Sequence, residues 1–216
     1  MASEQNDKCG CWMCDLASLM PEPDVVLDCG ASVGQTANRL RKHFPKATIY
    51  SFEPVATLFK HLQRNCELLS VHPVKKAVAD QDGKTYINLT KGTPCNSLLG
   101  YLEGNPCAQW TKVVGQEEIE VCTLDRWCQD SGLQPQRVDV LKLDVQGAEL
   151  KALHGARKLL ETVKAVYLEV LYVKLYKDCP LFGEIDAFMV ECGYRRYAVY
   201  PSSQPDNWGD VLYVKA

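Results

Sequence analysis

The run VVLDCGASVGQT, residues 25–36, constrains this chain more than any other stretch. Residues 25–27 are apolar without alternation, the pattern of a strand buried on both faces of a parallel sheet. Asp28 follows at the strand's carboxyl end, then Gly30 and Gly34, then a helical run over 35–41. Strand, tight glycine turn and helix form the opening unit of a doubly wound α/β fold, which binds ligands at the carboxyl ends of its strands. Gly30 can turn sharply and approach a ligand with no Cβ in the way. Free N–H groups at the helix start can hold a carboxylate or a phosphate. The glycines are spaced G-x-x-x-G, with an acid two residues before the first, and not as the G-x-G-x-x-G of a dinucleotide site. A turn whose glycines only relieve strain would look the same.

A second stretch, TIYSFEP at 48–54, narrows the choice. Ile49, Tyr50 and Phe52 suit a second buried strand, and Glu53 closes it. An acid ending the second strand, roughly 20 residues past the glycine turn, is placed to accept hydrogen bonds from ribose hydroxyls. By itself it could be a solvated strand-end Glu. In register with the turn, it points to a nucleoside-bearing cofactor.

Composition removes several function classes. The chain has 216 residues and 46% apolar content, enough for one α/β domain with a core. Its net charge is -3 and it has no basic block, which argues against a nucleic-acid partner. No apolar run is long enough to span a bilayer. The start, MASEQNDKCG, lacks a hydrophobic signal core, so a cytoplasmic location is expected. Eleven cysteines make an odd count. Cys29, Cys122 and Cys192 fall in or beside expected core elements, so free thiols in a reducing compartment fit better than a disulfide scaffold. Cys9, Cys11 and Cys14 form C-x-C-x-x-C, but zinc would need a fourth ligand that the spacing does not supply. No metal site is expected there. Residues 1–20 read instead as an N-terminal arm with Trp12, Met13, Leu16 and Leu19 as its apolar face, and 21–216 as one domain.

Further along, Pro54 can open a helix at its first turn, with Leu58, Leu62, Cys66 and Leu69 on one face. Residues 71–80 read as a third strand, Asp82-Gly83 as a hairpin turn and 85–89 as a strand. Residues 91–116, rich in Gly, Pro and Asn, read as a long irregular loop. A strand over 118–122 and a short helix over 123–129 follow. Residues 138–145 read as the fourth parallel strand, with Asp144 near its end and Gly147 as the turn. An amphipathic helix is expected over 148–160. Strand five spans 165–171 and carries Glu169, and a helix over 181–192 ends at Gly193. Residues 194–200 and 211–214 look like a closing antiparallel pair.

Four stretches together, LDCGASVG, FEP, LKLDVQGAELKALHGARKLL and YLEV, resemble the FkbM-type methyltransferases, a branch of the class I S-adenosylmethionine-dependent enzymes. The similarity runs from about Val25 to the C-terminus, and KLDVQGAE is its most specific part. The family more often has Glu where this chain has Gln146. The resemblance implies a Rossmann-like, doubly wound, mostly parallel seven-stranded sheet with an antiparallel C-terminal hairpin. It implies S-adenosylmethionine as cofactor, with Asp28, Gly30, Ala31, Ser32, Gly34 and Gln35 around the methionine end. It further implies Glu53 and Pro54 at the ribose, and Ala79 and Asp80 near the adenine. Asp80 could equally serve the turn that follows it. The family methylates hydroxyls of small molecules, polyketides and sugars, and some members modify peptide side chains.

Methyl transfer requires alignment of a nucleophile with the methyl and, for a hydroxyl, removal of a proton. Asp144 and Glu169 end neighbouring strands on the ligand side and are the candidate catalytic acids. Asp144 could instead hold the cofactor's amino group, and Glu169 could cap a loop. In a third reading both hold a divalent cation that acidifies the acceptor. His43, His61, His72 and His154 are the remaining base candidates, of which His43, His61 and His154 fall on helices away from the strand ends and suit surface or packing roles. The loop around Thr93-Pro94-Cys95-Asn96-Ser97 has the profile of a substrate lid, with Asn96 and Ser97 touching the acceptor. The alternative function is an NAD-dependent or nucleotide-sugar oxidoreductase, against which stand the missing G-x-G-x-x-G and the lack of a helical Tyr-x-x-x-Lys pair. A non-catalytic cofactor-binding module, suggested only by the short chain, is the other.

Overall fold

The chain enters its main sheet at β1, Val25–Cys29, every residue of which is buried. The computed structural model describes residues 11–91, 95–204 and 206–216, so Cys9, Thr93 and Pro94 lie outside the described part. Ahead of β1, α1 (Trp12–Leu19) lays Trp12, Met13 and Leu16 into the core. Leu19, expected on the same face, is 40% exposed because the helix ends there, before the Pro21–Pro23 break. After β1 come α2 (Gln35–His43), β2 (Thr48–Phe52) and α3 (Ala56–Leu69). Leu62 and Cys66 are the inward face of α3. Its N-terminus is satisfied by a distant acid, the Ala56 amide donating to Glu117 Oε1 at 2.9 Å.

The stretch 71–80 is not one strand. It forms β3 (His72–Val74), parallel to β2, and β4 (Ala77–Val78), which belongs to a separate three-stranded sheet. The Lys76 amide bonds back to the Val74 carbonyl at 3.1 Å. This tight turn hands the chain from one sheet to the other. Nor does Asp82-Gly83 close a hairpin. The next strands are β5 (Gly83–Thr90) and β6 (Val113–Cys122), and the order β4-β6-β5 puts β6 between the two strands the turn joins. The Asp82 carboxylate accepts from the Thr123 amide at 3.0 Å instead. The irregular stretch is shorter than expected, since α4 (Ala108–Thr111) forms inside it and β6 starts at Val113, paired with Thr90.

The second half matches its periodicities more closely. It contains α5 (Leu124–Asp130), β7 (Val138–Leu143), α6 (Glu149–His154), β8 (Ala165–Leu171), α7 (Phe182–Glu191), β9 (Tyr194–Pro201) and β10 (Trp208–Lys215). The expected 148–160 helix stops at His154. A Cβ on Gly155 would run into the Ala79 carbonyl, so the chain turns there under the small sheet. Leu159–Glu161 resumes as a 3-10 turn that keeps Leu160 buried.

The main sheet is seven-stranded in the order β3-β2-β1-β7-β8-β10-β9. Strands β3 to β8 in that order run parallel, and β10 pairs antiparallel with both β8 and β9. Helices α5, α6 and α7 cover one face, while α1, α2 and α3 cover the other. The winding reverses between β1 and β7, and a crevice opens at the carboxyl ends of strands at such a reversal. No helix among the described residues is long and apolar enough to cross a membrane.

Candidate active site

The turn after β1 uses left-handed backbone at Gly30 (φ +80°), Ser32 (φ +50°) and Gly34 (φ +97°). The Gly30 and Ala31 amides donate to the Phe52 carbonyl at 3.1 and 2.9 Å, which ties the turn to the end of β2. A Cβ on Gly30 would collide with the Asp144 carbonyl. A close approach between two strand ends therefore requires glycine here. Glu53 accepts from the Ser32 amide at 3.0 Å and from the Val55 amide at 2.9 Å. Burial pushes its carboxyl up to about 7, against the pull of those two amides and of Lys142.

A cavity of about 290 Å³ opens over this turn. Of the residues expected at a cofactor or substrate, Gly30, Ala31, Ser32, Gln35, Glu53, Pro54, Asn96 and Asp144 line it. Leu58, Ala77, Val78 and Ile87 give it an apolar wall. Asp28, Gly34, Ala79, Asp80, Ser97 and Glu169 are not in the lining. Gly34 faces α3, where a Cβ would sit 3.2 Å from Leu62 Cδ1. Ala79 is buried against Gly155, and Asp80 pairs with Lys151 at 3.3 Å on the surface. The split of β3 from β4 causes this shift, because it brings Ala77 and Val78 to the cavity in place of the two residues after them.

Asp28 lies beneath the turn. Register pairs it directly with Lys142 of β7, and the two side chains, 0% and 3% exposed, form an ion pair at 3.1 Å. Ser51 donates to the other Asp28 oxygen at 3.1 Å. Lys142 Nζ also donates to the Gly30 carbonyl at 2.9 Å and lies 3.7 Å from Asp144. Burial would lower the ammonium, but Asp28 and Asp144 outweigh it and hold its pKa above the ordinary value. This buried cation braces the glycine turn from below. It escaped the sequence reading, although a lone Lys inside the apolar run VDVLKLDV was the available signal.

Gln146 is the hub of the other end. Its backbone is left-handed (φ +57°), which turns the side chain back over β7. Its Nε2 donates to Asp144 Oδ1 at 2.8 Å and to Glu169 Oε2 at 3.1 Å, and its Oε1 accepts from the Tyr176 hydroxyl at 2.7 Å. The Ser97 hydroxyl donates to the Gln146 carbonyl at 2.6 Å, so Ser97 serves the scaffold while Asn96 reaches the cavity. Asn96 Oδ1 also accepts from the Thr90 amide at 2.8 Å. Asp210 stands opposite Glu169 across the β8–β10 pair. Burial, then the Asp144 charge, pushes Asp210 up to about 6. Glu169 is pushed well above the ordinary carboxylate range by burial, then by Asp144, Glu149 and Asp210. Buried Glu149 accepts from the Val145 amide at 2.8 Å and is raised to about 7, mainly by burial. Two acids that share no sequence motif, Asp144 and Glu169, are thus joined through one amide.

That amide bears on the divalent-cation reading. Asp144 and Glu169 direct one oxygen each onto the Gln146 NH₂, a donor where a cation would need acceptors. Among the described residues no group of three His, Cys, Asp or Glu is arranged to hold a metal ion. The donor set does not fit a cation. The helical histidines are exposed: His43, His61 and His154 lie on α2, α3 and α6, away from the cavity.

Comparison with known proteins adds an independent line. The methyltransferase FkbM domain profile matches residues 28–196. The 2-O-methyltransferase NoeI of Sinorhizobium fredii is 28% identical over 188 residues, covering 79% of this chain and 74% of that protein. Methyltransferase 1 of Beauveria bassiana is 28% identical over 151 residues, covering 62% of this chain and 59% of that protein. Among solved structures, magnesium protoporphyrin IX methyltransferase of Synechocystis, with bound SAM, superposes with a TM-score of 0.54 at 13% identity, over 97% of this chain and 77% of that one. Aeropyrum pernix fibrillarin, with S-adenosyl-L-methionine natively bound, gives 0.51 at 11% identity, over 89% and 67%. At such identities the two structures speak for the fold.

Proposed function

The chain belongs to the FkbM methyltransferase family, and from that premise we propose that it moves a methyl group from S-adenosylmethionine to a hydroxyl of a small-molecule, sugar or polyketide acceptor. The observation that carries the donor is Glu53, a buried acid ending β2 on the wall of a cavity that also holds the Gly30 turn. Each Glu53 oxygen accepts one amide and keeps a lone pair for a ribose hydroxyl. The apolar wall of Leu58, Ala77, Val78 and Ile87 takes the adenine, and Gly30, Ala31, Ser32 and Gln35 take the methionine end. Residues 21–216 are read as the catalytic domain, with 1–20 as its arm.

Bound S-adenosylmethionine supplies a methyl on a sulfonium, a good leaving group for in-line displacement. What the chain contributes is alignment, which can supply up to roughly 7–11 kcal/mol of a barrier, and a place for the acceptor's proton. Asp144, on the cavity wall, is read as the group facing the donor and acceptor. Glu169, joined to Asp144 through the Gln146 amide, is read as the second catalytic acid behind it. The hydroxyl acceptor draws support from the 2-O-methyltransferase relative.

Calorimetry with S-adenosylmethionine, its demethylated product and NAD tests the donor. The first two are expected to bind and NAD is not. Glu53→Ala should weaken binding by about 1.5–3 kcal/mol through lost charge-assisted hydrogen bonds. Unchanged affinity in that variant would remove Glu53 from the site. Radiolabelled S-adenosylmethionine with fractionated small-molecule extracts then identifies the acceptor, and Asp144→Asn should keep the fold and lose most turnover.

A further inference from the structure

The start of α1 carries chemistry that methyl transfer does not use. Cys11-Trp12-Met13-Cys14 puts Cys11 at the N-cap of α1 and Cys14 in its first turn. Helix residues three apart have Cβ atoms roughly 5–6 Å apart, and small rotations bring such a pair within disulfide reach. The Cys14 thiol hydrogen-bonds to the Cys11 sulfur. From a different element, α2, the Arg39 guanidinium donates to Cys11 Sγ at 3.5 Å. Both cysteines are half-exposed, and neither is in a disulfide.

The contrast with the core thiols is chemical. Cys29, Cys66, Cys122 and Cys128 are buried, and burial pushes Cys66 up to about 11 and Cys122 and Cys128 up to about 12. Burial alone would raise Cys11 as well. The Cys14 and Met13 amides, the Cys14 thiol and Arg39 outweigh it and hold Cys11 below the ordinary thiol value. A partly exposed thiolate at a helix N-terminus beside a cation is the setting of reactive cysteines.

We propose that Cys11 and Cys14 form a dithiol site that exchanges with small-molecule disulfides such as oxidised glutathione and closes to an intramolecular disulfide. The Cys11 thiolate attacks one sulfur of the small disulfide. Its S–S bond breaks, and one thiolate leaves and takes a proton from solvent. The Cys14 thiol, giving its proton to solvent, attacks the Cys11 sulfur of the mixed disulfide and expels the second thiolate. The protein loses two electrons and two protons, and the small disulfide becomes two thiols. Trp12, between the two cysteines, stacks on Tyr167 with ring centroids 3.9 Å apart, so closure strains a ring contact that fluorescence can follow.

The test uses the full chain, reduced, desalted and incubated with oxidised glutathione at neutral pH, read by intact mass and fragmentation. The expected product has lost two hydrogens and carries a Cys11–Cys14 bond. Cys14→Ser should trap one glutathione on Cys11, with Cys14→Ala repeating the measurement if the first variant is poorly folded. Cys11→Ser should modify Cys14 at least about tenfold more slowly, as it is Cys11 that faces the Arg39 guanidinium and the helix-start amides. Arg39→Gln in the Cys14→Ser background should slow adduct formation roughly three- to tenfold. Cys9→Ser should behave as the unaltered chain. A disulfide that includes Cys9, equal adduct rates in the two single-cysteine variants, or no disulfide at all would overturn the proposal.

Discussion

Replacing Lys142 by Met removes the cation on which the glycine turn rests. The Lys142–Asp28 pair is 3.1 Å long and shut away from water. At an effective dielectric of about 20, its Coulomb attraction is about 332/(20 × 3.1), or roughly 5 kcal/mol. Desolvation offsets much of that in the intact protein, but removing one partner leaves the other charge buried alone, typically at a cost of about 3–5 kcal/mol. The Gly30 carbonyl also loses its donor at 2.9 Å, about 1 kcal/mol more in a buried site. Lys142→Met should therefore lose about 4–6 kcal/mol, a fall in urea midpoint of roughly 1.5–2 M at a slope of about 3 kcal/mol per M. The double variant with Asp28→Asn removes the orphaned charge and should recover most of the loss. The sign with pH follows. A buried carboxyl without its cation favours the neutral form, so the variant's deficit should shrink as pH falls toward 4. In the unaltered chain the raised Lys142 pKa contributes stability that is complete below about 10.4. That contribution is lost as pH climbs through the folded-state value. A Lys142→Met midpoint indistinguishable from the parent, or no recovery in the double variant, would refute the reasoning.

Further outcomes are expected at three residues. Glu53, raised to about 7 by burial, takes up a proton more readily folded than unfolded, so its contribution to stability falls as pH rises from about 4.5 through 7. Affinity for the demethylated cofactor should instead rise about tenfold from pH 6 to pH 8, as the ribose-accepting carboxylate forms, and a flat profile in calorimetry would contradict that. Gln146→Glu puts a third carboxyl where an amide now donates to two at 2.8 and 3.1 Å. Thermal unfolding should show a loss of about 1–3 kcal/mol at pH 8 that narrows by pH 5, and a pH-independent loss would count against like-charge repulsion. Gly30→Ala combines a φ of +80° with a clash on the Asp144 carbonyl. It should cost about 2–4 kcal/mol and lower the melting temperature by roughly 5–15 °C; a melting point near the parent's would show that the turn can shift aside.

What the sequence determined by itself is whatever depends on neighbours along the chain. The apolar runs at 25–27 and 165–168 place β1 and β8 in the interior of the sheet, because only a strand covered on both faces needs no polar side. The acid after β2 and the glycine after β1 are offset as a strand–turn–helix unit requires, and Glu53 and Gly30 do meet at one cavity. Local signals fail where a group's partner lies far along the chain. The run at 71–80 reads as one strand, yet which sheet each half joins depends on the free edges of β2 and β6. For the same reason Ala77 and Val78 replace Ala79 and Asp80 at the cavity. Asp28 meets Lys142 through the β1–β7 register, and Glu169 meets Asp210 through β8–β10. Neither register is written in any local pattern, because a strand's side-chain alternation fixes which face a residue takes but not which residue of another strand it faces. Gln146 is legible as a letter beside Gly147, but its function as the shared donor between two carboxylates exists only once β7, β8 and Tyr176 are brought together.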